Sequence, residues 1–71
     1  MDKRRLGSLL KEIRLEAKLT QEQVADRLGQ SQSYVSKYES GEQRLDLIEL
    51  DAVCKAVGLE LTKFVARYSA S

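Results

Sequence analysis

A run of polar side chains after Ser31 has the chemistry needed to recognise the edges of base pairs. Gln32 can present a paired donor and acceptor to adenine, and Lys37 can donate to the acceptor edge of guanine. Ser33 and Ser36 are shorter, so they would act through water or on a phosphate. If a helix begins at Gln32, these four side chains point outward in its first turns, where a DNA-reading helix meets the major groove. The same residues also suit an ordinary solvated helix face.

Two short helices with a tight turn between them would position these side chains. Thr20 and Gln23 form a capping-box pattern that predicts a helix over Gln21–Leu28. Gly29 follows, and glycine is the residue best able to adopt the left-handed conformation that ends a helix. The next helix begins at Gln32, after only residues 29–31. Helices joined by so short a turn must cross steeply, which is the helix-turn-helix arrangement.

Apolar residues at helical spacing predict the remaining elements. The first helix has its apolar face at Leu6, Leu9, Leu10, Ile13 and Ala17. The third is capped by Ser31 and ended by Gly41, with Val35 and Tyr38 facing inward. The fourth follows the cap Asp46, and its apolar face is Leu47, Leu50, Val53, Cys54 and Val57, with Gly58 as the stop. The fifth has Leu61, Phe64, Val65 and Tyr68. The fold class is therefore all-α, with five helices and no strand signal.

The start of the first helix carries the weakest signal. Gly7 lies inside it and should weaken its first turn by roughly 1 kcal/mol relative to Ala, so we expect some disorder before Leu6. The basic residues Lys3, Arg4 and Arg5 suit either an arm that attracts phosphate or a solubilising tail.

Composition limits the possible functions. The chain has 71 residues and a formal net charge of +1, which suits one domain over residues 1–71 with a small core between residues 6 and 68. Residues 1–41 hold eight Lys or Arg against six Asp or Glu, and the remainder holds four against five. The polar side chains that follow Ser31 therefore lie in the part of the sequence with a slight excess of basic residues.

The single cysteine, Cys54, and the lack of histidine leave no internal disulfide and no plausible zinc site. We expect no cofactor or metal and read Cys54 as a small buried apolar residue. No run approaches the roughly 20 apolar residues needed to span a bilayer, and no signal peptide is recognisable. The expected location is the cytoplasm.

From residue 10 to residue 61 the chain resembles the Cro and phage-repressor type of helix-turn-helix domain, often called the Xre family. Four stretches carry the resemblance: KEIR at residues 11–14, LTQEQVADRLG at 19–29, SQSYVSKYESG at 31–41, and residues 47–59. The resemblance implies a compact, lambda-repressor-like bundle of five helices in which the second and third form the DNA-reading unit. A small residue, Ala25, lies where these two helices would cross.

The resemblance also assigns roles to particular residues. The base-reading positions fall on Gln32, Ser33 and Lys37, with Ser36 beside them. Arg14 and Glu39 match residues that form a structural ion pair between the first and third helices, and Arg14 could also approach a phosphate.

Contacts to the DNA backbone are expected from a second set of residues. The start of the second helix, at Gln21, suits a phosphate because free amides and the helix dipole meet there. The full expected set is Gln21, Ser31, Tyr34, Ser40, Gln43 and Arg44. Glu42 departs from the family pattern, which often has a basic residue at this position.

The last helix is the expected dimer contact. Leu61, Phe64, Val65 and Tyr68 form a stripe that a small core cannot cover entirely, and in relatives this helix often joins two copies. A homodimer would place two recognition helices roughly 34 Å apart on an inverted repeat. The alternative is that Leu61 and Phe64 complete the monomer core, leaving Val65 and Tyr68 partly exposed.

The resemblance implies a transcriptional regulator, expected to be a repressor, with double-stranded DNA as its partner and no membrane partner. An enzyme is the least favoured class, because no histidine, metal cluster, phosphate-binding glycine loop or activated nucleophile is evident. Three alternatives stay open: the antitoxin of a toxin–antitoxin pair with a further protein partner, the controller protein of a restriction–modification system, and a coactivator that binds other proteins.

Overall fold

The computed structural model describes residues 2–70, which form helices, turns and no strand. The helices are α1 (Lys3–Glu16), α2 (Gln21–Leu28), α3 (Gln32–Ser40), α4 (Leu47–Ala56) and α5 (Leu61–Ala70). The all-α prediction is confirmed. None of these helices is both long and apolar enough to cross a membrane.

The helix boundaries follow from the capping residues. Thr20 and Asp46 each begin a helix with a reciprocal capping box, and the Ser31 side chain accepts from the backbone amide of Tyr34 at the start of α3. Left-handed glycines close the other ends, with φ of 67° at Gly29 and 83° at Gly41. These local signals satisfy backbone groups at both ends of α2 and α3 and at the start of α4, which is why these boundaries lie where the sequence predicts them.

The start of α1 differs from the sequence prediction. The side chain of Asp2 accepts from the backbone amide of Arg4 at 2.9 Å, so the helix begins at Lys3. The expectation of disorder before Leu6 was wrong, because this cap stabilises the turn that Gly7 was expected to weaken. Arg5 lies 4.1 Å above the ring centre of Tyr68 on α5. The basic residues at positions 3–5 are therefore part of a helix rather than an arm or a tail.

Gly7 has a packing role that its sequence position does not reveal. A Cβ atom added there would lie 2.2 Å from the carbonyl oxygen of Tyr38 and 2.7 Å from that of Glu39. Both oxygens belong to the backbone of α3, which cannot move aside easily. Gly7 therefore allows α1 and α3 to approach closely, and this approach positions the last turn of α3.

The core gathers side chains from all five helices. Its fourteen buried hydrophobic residues are Leu6, Leu9, Leu10, Ile13, Val24, Ala25, Val35, Tyr38, Leu50, Val53, Cys54, Ala56, Val57 and Phe64. Burial raises the pKa of the Cys54 thiol to about 11, so the thiol stays protonated at neutral pH. Cys54 is a buried core residue, as the sequence analysis proposed.

Two residues expected on apolar faces lie outside the core. Leu47 is 67% exposed in the first turn of α4, and Ala17 is the exposed C-cap of α1. Both lie at a helix end, where the helical period continues although no neighbouring element covers it. Their assignment to the buried faces was wrong.

Candidate nucleic-acid interface

The turn between α2 and α3 determines how the two helices meet. The backbone amides of Gly29 and Gln30 donate to the carbonyl oxygens of Asp26 (3.2 Å) and Ala25 (3.0 Å), and so close the end of α2. Ala25 is 2% exposed, and its small side chain lets the two short helices pack closely. The turn therefore sets the orientation of α3 relative to α2.

α3 has a buried side and a polar side. Val35 and Tyr38 anchor it in the core, at 0% and 2% exposure. The polar side carries the four sequence-predicted base-reading residues: Gln32, Ser33 and Lys37, which are exposed, and Ser36, which is half-buried. Because successive helical residues turn by about 100°, these four lie within an arc of about 140°. The structure therefore brings them together on one surface, here called the reading face.

A chain of hydrogen bonds holds the start of the reading face. The side-chain nitrogen of Gln32 donates to the side-chain oxygen of Gln21 at 2.8 Å. The Gln21 nitrogen donates in turn to Glu39 at 3.1 Å. An amide nitrogen carries two protons, so Gln32 keeps one donor and its acceptor oxygen for a base while bonded to Gln21. Gln21 thus orients the side chain of Gln32, a role that its expected phosphate contact did not include.

The hydrogen-bond chain ends in a buried ion pair. Two guanidinium nitrogens of Arg14 donate to the two carboxylate oxygens of Glu39, at 2.7 and 3.0 Å, and the side chains are 9% and 3% exposed. The hydrogen bond that Arg14 donates to Glu39 raises the pKa of Arg14 above its ordinary value, against the opposing effect of burial. A further Arg14 nitrogen donates to the carbonyl of Leu19 at 2.8 Å. Arg14 is thus committed to internal partners and does not face a phosphate.

The residues predicted to contact the DNA backbone differ in whether their side chains are exposed or already bonded within the protein. Ser31 is exposed beside the reading face, although its hydroxyl already caps α3. The hydroxyl of Tyr34 donates to Glu49 on α4 at 3.3 Å, and its ring packs edge-on against Tyr38 at 5.7 Å. Tyr34 therefore braces α3 against α4 instead of offering its hydroxyl to a phosphate.

The loop after α3 carries one side chain that favours a phosphate contact and one that opposes it. The Ser40 hydroxyl has one proton, which it can donate to the Lys37 carbonyl at 3.1 Å or to Glu42 at 3.3 Å. Gln43 is half-buried and Arg44 is exposed. Arg44 is the cation of this loop that can meet a phosphate, whereas the exposed carboxylate of Glu42 opposes such a contact.

Two lysines beside the reading face were missed by the sequence analysis. Lys11 lines a shallow recess together with Gln21 and Ser36, and Lys18 lines a second recess together with Gln21 and Gln32. Both lysines are exposed. The signal that could have identified Lys11 is its position one turn before Arg14, on the side of α1 that packs on α3.

The expected dimer stripe is not a continuous exposed surface. Phe64 is 0% exposed, so its place in a dimer contact was wrong, because the side chain fills the monomer core. Tyr68 is half-buried, and its ring is covered by the Arg5 guanidinium. Val65 is 43% exposed and Leu61 is half-buried. The alternative described above, in which Leu61 and Phe64 complete the monomer core and Val65 and Tyr68 stay partly exposed, is the better description of Phe64.

Comparison with known proteins identifies the family. The family model described as Helix-turn-helix matches residues 10–64. An uncharacterised HTH-type transcriptional regulator, y4dJ of Sinorhizobium fredii, is 39% identical over 66 residues, which cover 92% of this chain and 86% of that protein. The immunity repressor protein of Bacillus phage phi105 is 37% identical over 60 residues. That match covers 84% of this chain but only 42% of the repressor, so the chain spans less than half of the repressor's length.

A solved structure shows the same fold. The restriction-modification controller protein C.Esp1396I, as a tetramer in complex with its natural 35 base-pair operator, has a TM-score of 0.88 and 24% sequence identity. The alignment covers 94% of this chain and 88% of the controller protein. With a family model that matches most of its length and a regulator that is 39% identical along most of both chains, the present chain belongs to the helix-turn-helix family of the Cro and phage-repressor type, also called the Xre family.

Proposed function

We propose that this protein is a transcriptional regulator that reads the sequence of double-stranded DNA with the reading face of α3 and acts by binding rather than by catalysis. The observation that carries the proposal is the exposed set Gln32, Ser33 and Lys37 on one face of a short helix whose first side chain is already held by Gln21. Base recognition needs such fixed donors and acceptors, since each good contact contributes roughly 1 to 3 kcal/mol of discrimination.

Positioning on the DNA comes from the edges of the reading face. The capping box uses the backbone amides of Thr20 and Gln23, so the amides of Gln21 and Glu22 would be the ones that bind a phosphate at the start of α2. Lys11 and Lys18 each line a recess together with Gln21. Arg44 and Gln43 would extend these contacts beyond the end of α3. Such contacts fix the register without reading sequence.

A homodimer on an inverted repeat completes the proposal. The longest dimension of the described residues is 29 Å, which is shorter than the roughly 34 Å between successive major grooves on one side of the duplex. One chain therefore reads one half-site, too short a sequence to be selective in a genome. Repression in the cytoplasm would follow if the bound dimer excludes RNA polymerase from a promoter.

Selection of bound sequences from random duplex DNA tests this function. We expect an enriched inverted repeat. Gln32→Ala and Lys37→Ala should each weaken binding to that repeat by about 5- to 150-fold, because each removes a base contact worth about 1 to 3 kcal/mol. Lys63→Ala, which removes an exposed lysine from α5, is the matched control and should bind within about twofold of the parent. The proposal is wrong if no sequence is enriched, or if both reading-face variants bind as tightly as the control.

A controller protein of a restriction–modification system is the second candidate. The operator-bound protein of similar fold belongs to that class. Both candidates use the same reading face, and they differ in the gene that the enriched repeat precedes.

A further inference from the structure

The two hydrogen bonds of the Gln21 side chain run in the same direction. Its nitrogen donates to an oxygen of Glu39 at 3.1 Å, and its oxygen accepts from the side-chain nitrogen of Gln32 at 2.8 Å. Each donor in this chain therefore points from the reading face toward the buried ion pair. The oxygen and nitrogen of an amide are nearly the same size, so the partners of the amide decide which end points where.

Glu39 permits only one direction of the chain. An ionised carboxylate accepts hydrogen bonds and donates none. One oxygen of Glu39 accepts from Arg14 at 3.0 Å and from Gln21, and the other accepts from Arg14 at 2.7 Å. The Glu39 side chain is 3% exposed, so little water reaches it. If the Gln21 amide were turned end for end, two oxygens would face each other without a proton, and a buried acceptor left in this way is costly.

The same direction is passed on to Gln32. Because the Gln21 nitrogen is bonded to Glu39, the Gln21 oxygen is the atom left for Gln32, and only the nitrogen of Gln32 can donate to it. The planar amide of Gln32 then has its nitrogen on the side of Gln21 and its oxygen on the side away from Gln21. The second N–H of that nitrogen remains for DNA. Gln32 thus presents a donor and an acceptor in a fixed order.

This order distinguishes between base pairs. Adenine presents in the major groove the acceptor N7 and, beside it, the donor N6–H₂, which match Gln32 when N7 lies on the side of Gln21. Guanine has the acceptor O6 at the place of that donor, so two oxygens would meet. A T·A pair, in which the strands are exchanged, has the thymine methyl group and O4 on the side of Gln21. The fixed order therefore favours A·T over both alternatives.

We propose that Glu39 is a positioning residue for base recognition: through Gln21, its buried carboxylate fixes the order of donor and acceptor on Gln32, and so determines which strand of the contacted base pair carries adenine. Arg14 contributes because its two hydrogen bonds hold this carboxylate in place. The inference rests on the proposed function, since Gln32 must meet a base. It adds a determinant of sequence preference that is buried in the protein and does not touch the DNA.

The direction of the chain is tested first in the protein without DNA. Gln21→Met keeps the approximate length of the side chain but removes both its donor and its acceptor. In the parent, the NMR signal of the Gln32 side-chain amide should be shifted downfield by its bond to Gln21. In Gln21→Met this signal should move to the region of the exposed Gln30, while circular dichroism shows a folded protein. A Gln32 signal that is the same in the parent and the variant would overturn the proposal.

The base preference is measured as the ratio of two dissociation constants. One duplex carries the selected repeat, and in the other the pair at which Gln32→Ala loses its preference is exchanged from A·T to T·A in one half-site. The parent should prefer the first duplex by about 5- to 150-fold. Gln21→Met should reduce this ratio by about 2- to 12-fold, the range of one hydrogen bond. Gln21→Lys should reduce it further, because an ammonium can donate both to Glu39 and to the Gln32 oxygen, which reverses the Gln32 amide.

Glu39→Gln tests the carboxylate itself. An amide at this position can donate as well as accept, so the chain can run in either direction. This variant should lose the same part of the ratio as Gln21→Met, and the two substitutions together should lose no more than either alone. If Glu39→Gln does not fold, Gln21→Lys provides the test of direction. Lys11→Ala is the matched control, because Lys11 lines the same recess as Gln21 and Glu39, and it should weaken binding to both duplexes without changing the ratio.

Two results with DNA would overturn the proposal. One is a ratio that stays at the parent value in both Gln21→Met and Gln21→Lys, and the other is a parent that prefers a pair other than A·T at the position of Gln32. Failure of the proposed function looks different, because no sequence would then be enriched at all. The measurement on the free protein still tests the chain of hydrogen bonds in that case.

Discussion

Among the described residues, the two shortest arginine–glutamate pairs that tie α1 to other helices, at 2.7 and 2.6 Å, have very different surroundings. Arg14 meets Glu39 of α3 with both side chains less than 10% exposed. Arg67 of α5 meets Glu16 of α1 with hydrogen bonds of 2.8 and 2.6 Å, and these side chains are 38% and 53% exposed. Each pair is joined by two hydrogen bonds, but only the Arg67–Glu16 pair is exposed to water. A buried pair is costly to break, whereas an exposed pair contributes little.

The two pairs also differ in what lies beyond them. Glu39 continues to Gln21 and then to Gln32 on the reading face. The Arg67 guanidinium continues only to Glu12, at 3.4 Å on the surface of α1. The buried pair is therefore connected to the first side chain of the reading face, and the exposed pair only joins two helices at the surface.

The largest expected effect comes from breaking the buried pair. Glu39→Ala leaves the Arg14 charge buried without its carboxylate, and it should lower the free energy of unfolding by about 3 to 5 kcal/mol. Urea denaturation followed by circular dichroism measures the change. The double variant Arg14→Met and Glu39→Met removes both charges and should be more stable than Glu39→Ala. A loss below about 1 kcal/mol for Glu39→Ala would contradict the importance assigned to burial.

A smaller loss of stability is expected from a substitution at Gly7, which allows α1 to approach α3 beside this pair. Replacing glycine by alanine inside a helix usually stabilises it by up to about 1 kcal/mol. Here the added methyl would overlap two backbone oxygens of α3, so Gly7→Ala should instead destabilise by about 1 to 3 kcal/mol. The exposed neighbour provides the control, because Ser8→Ala should leave the denaturation midpoint unchanged or raise it. Equal behaviour of the two variants would show that the helices need not approach so closely.

The smallest effect is expected at the exposed pair. Arg67→Ala should shift the denaturation midpoint only slightly, and the shift should shrink further in concentrated salt because exposed charges are screened. A loss as large as that of Glu39→Ala would remove the distinction between the two pairs.

The exposed pair should also respond to acid. The hydrogen bond from Arg67 lowers the pKa of Glu16 below its ordinary value. The pair therefore stabilises the fold at pH values above the pKa of Glu16 in the unfolded chain, and this contribution disappears as the pH falls through the lower pKa of the folded state. The difference in stability between parent and Arg67→Ala should accordingly vanish in acid. If the difference in stability between the parent and Arg67→Ala instead grew as the pH fell, the predicted direction of the pH dependence would be wrong.

The sequence predicts the features that depend on local contacts. The caps at Thr20, Ser31 and Asp46 and the stop at Gly29 act within a few residues of themselves, so their patterns define the helices directly. The grouping of the reading-face residues follows in the same way, because it requires only a helix that begins at Gln32 and a buried side at Val35.

The features that the sequence analysis missed or misjudged depend on the arrangement of whole helices. Gly7 looks like a weak point in α1 until α3 is placed against it. The exposure of Leu47 and the burial of Phe64 follow from which element lies next to each, and helical periodicity cannot show this. The bond from Gln21 to Gln32 and the position of Lys18 beside them likewise require that α2 and α3 first be docked.

The most direct test of the reading face is an NMR titration of isotope-labelled protein with a duplex that carries the selected repeat. The largest shifts in the backbone and side-chain amide signals should occur at Gln32, Ser33 and Lys37, followed by Gln21, with little change at the surface of α5. Shifts that instead concentrate on α5, with α3 unaffected, would contradict the proposal that α3 reads the DNA.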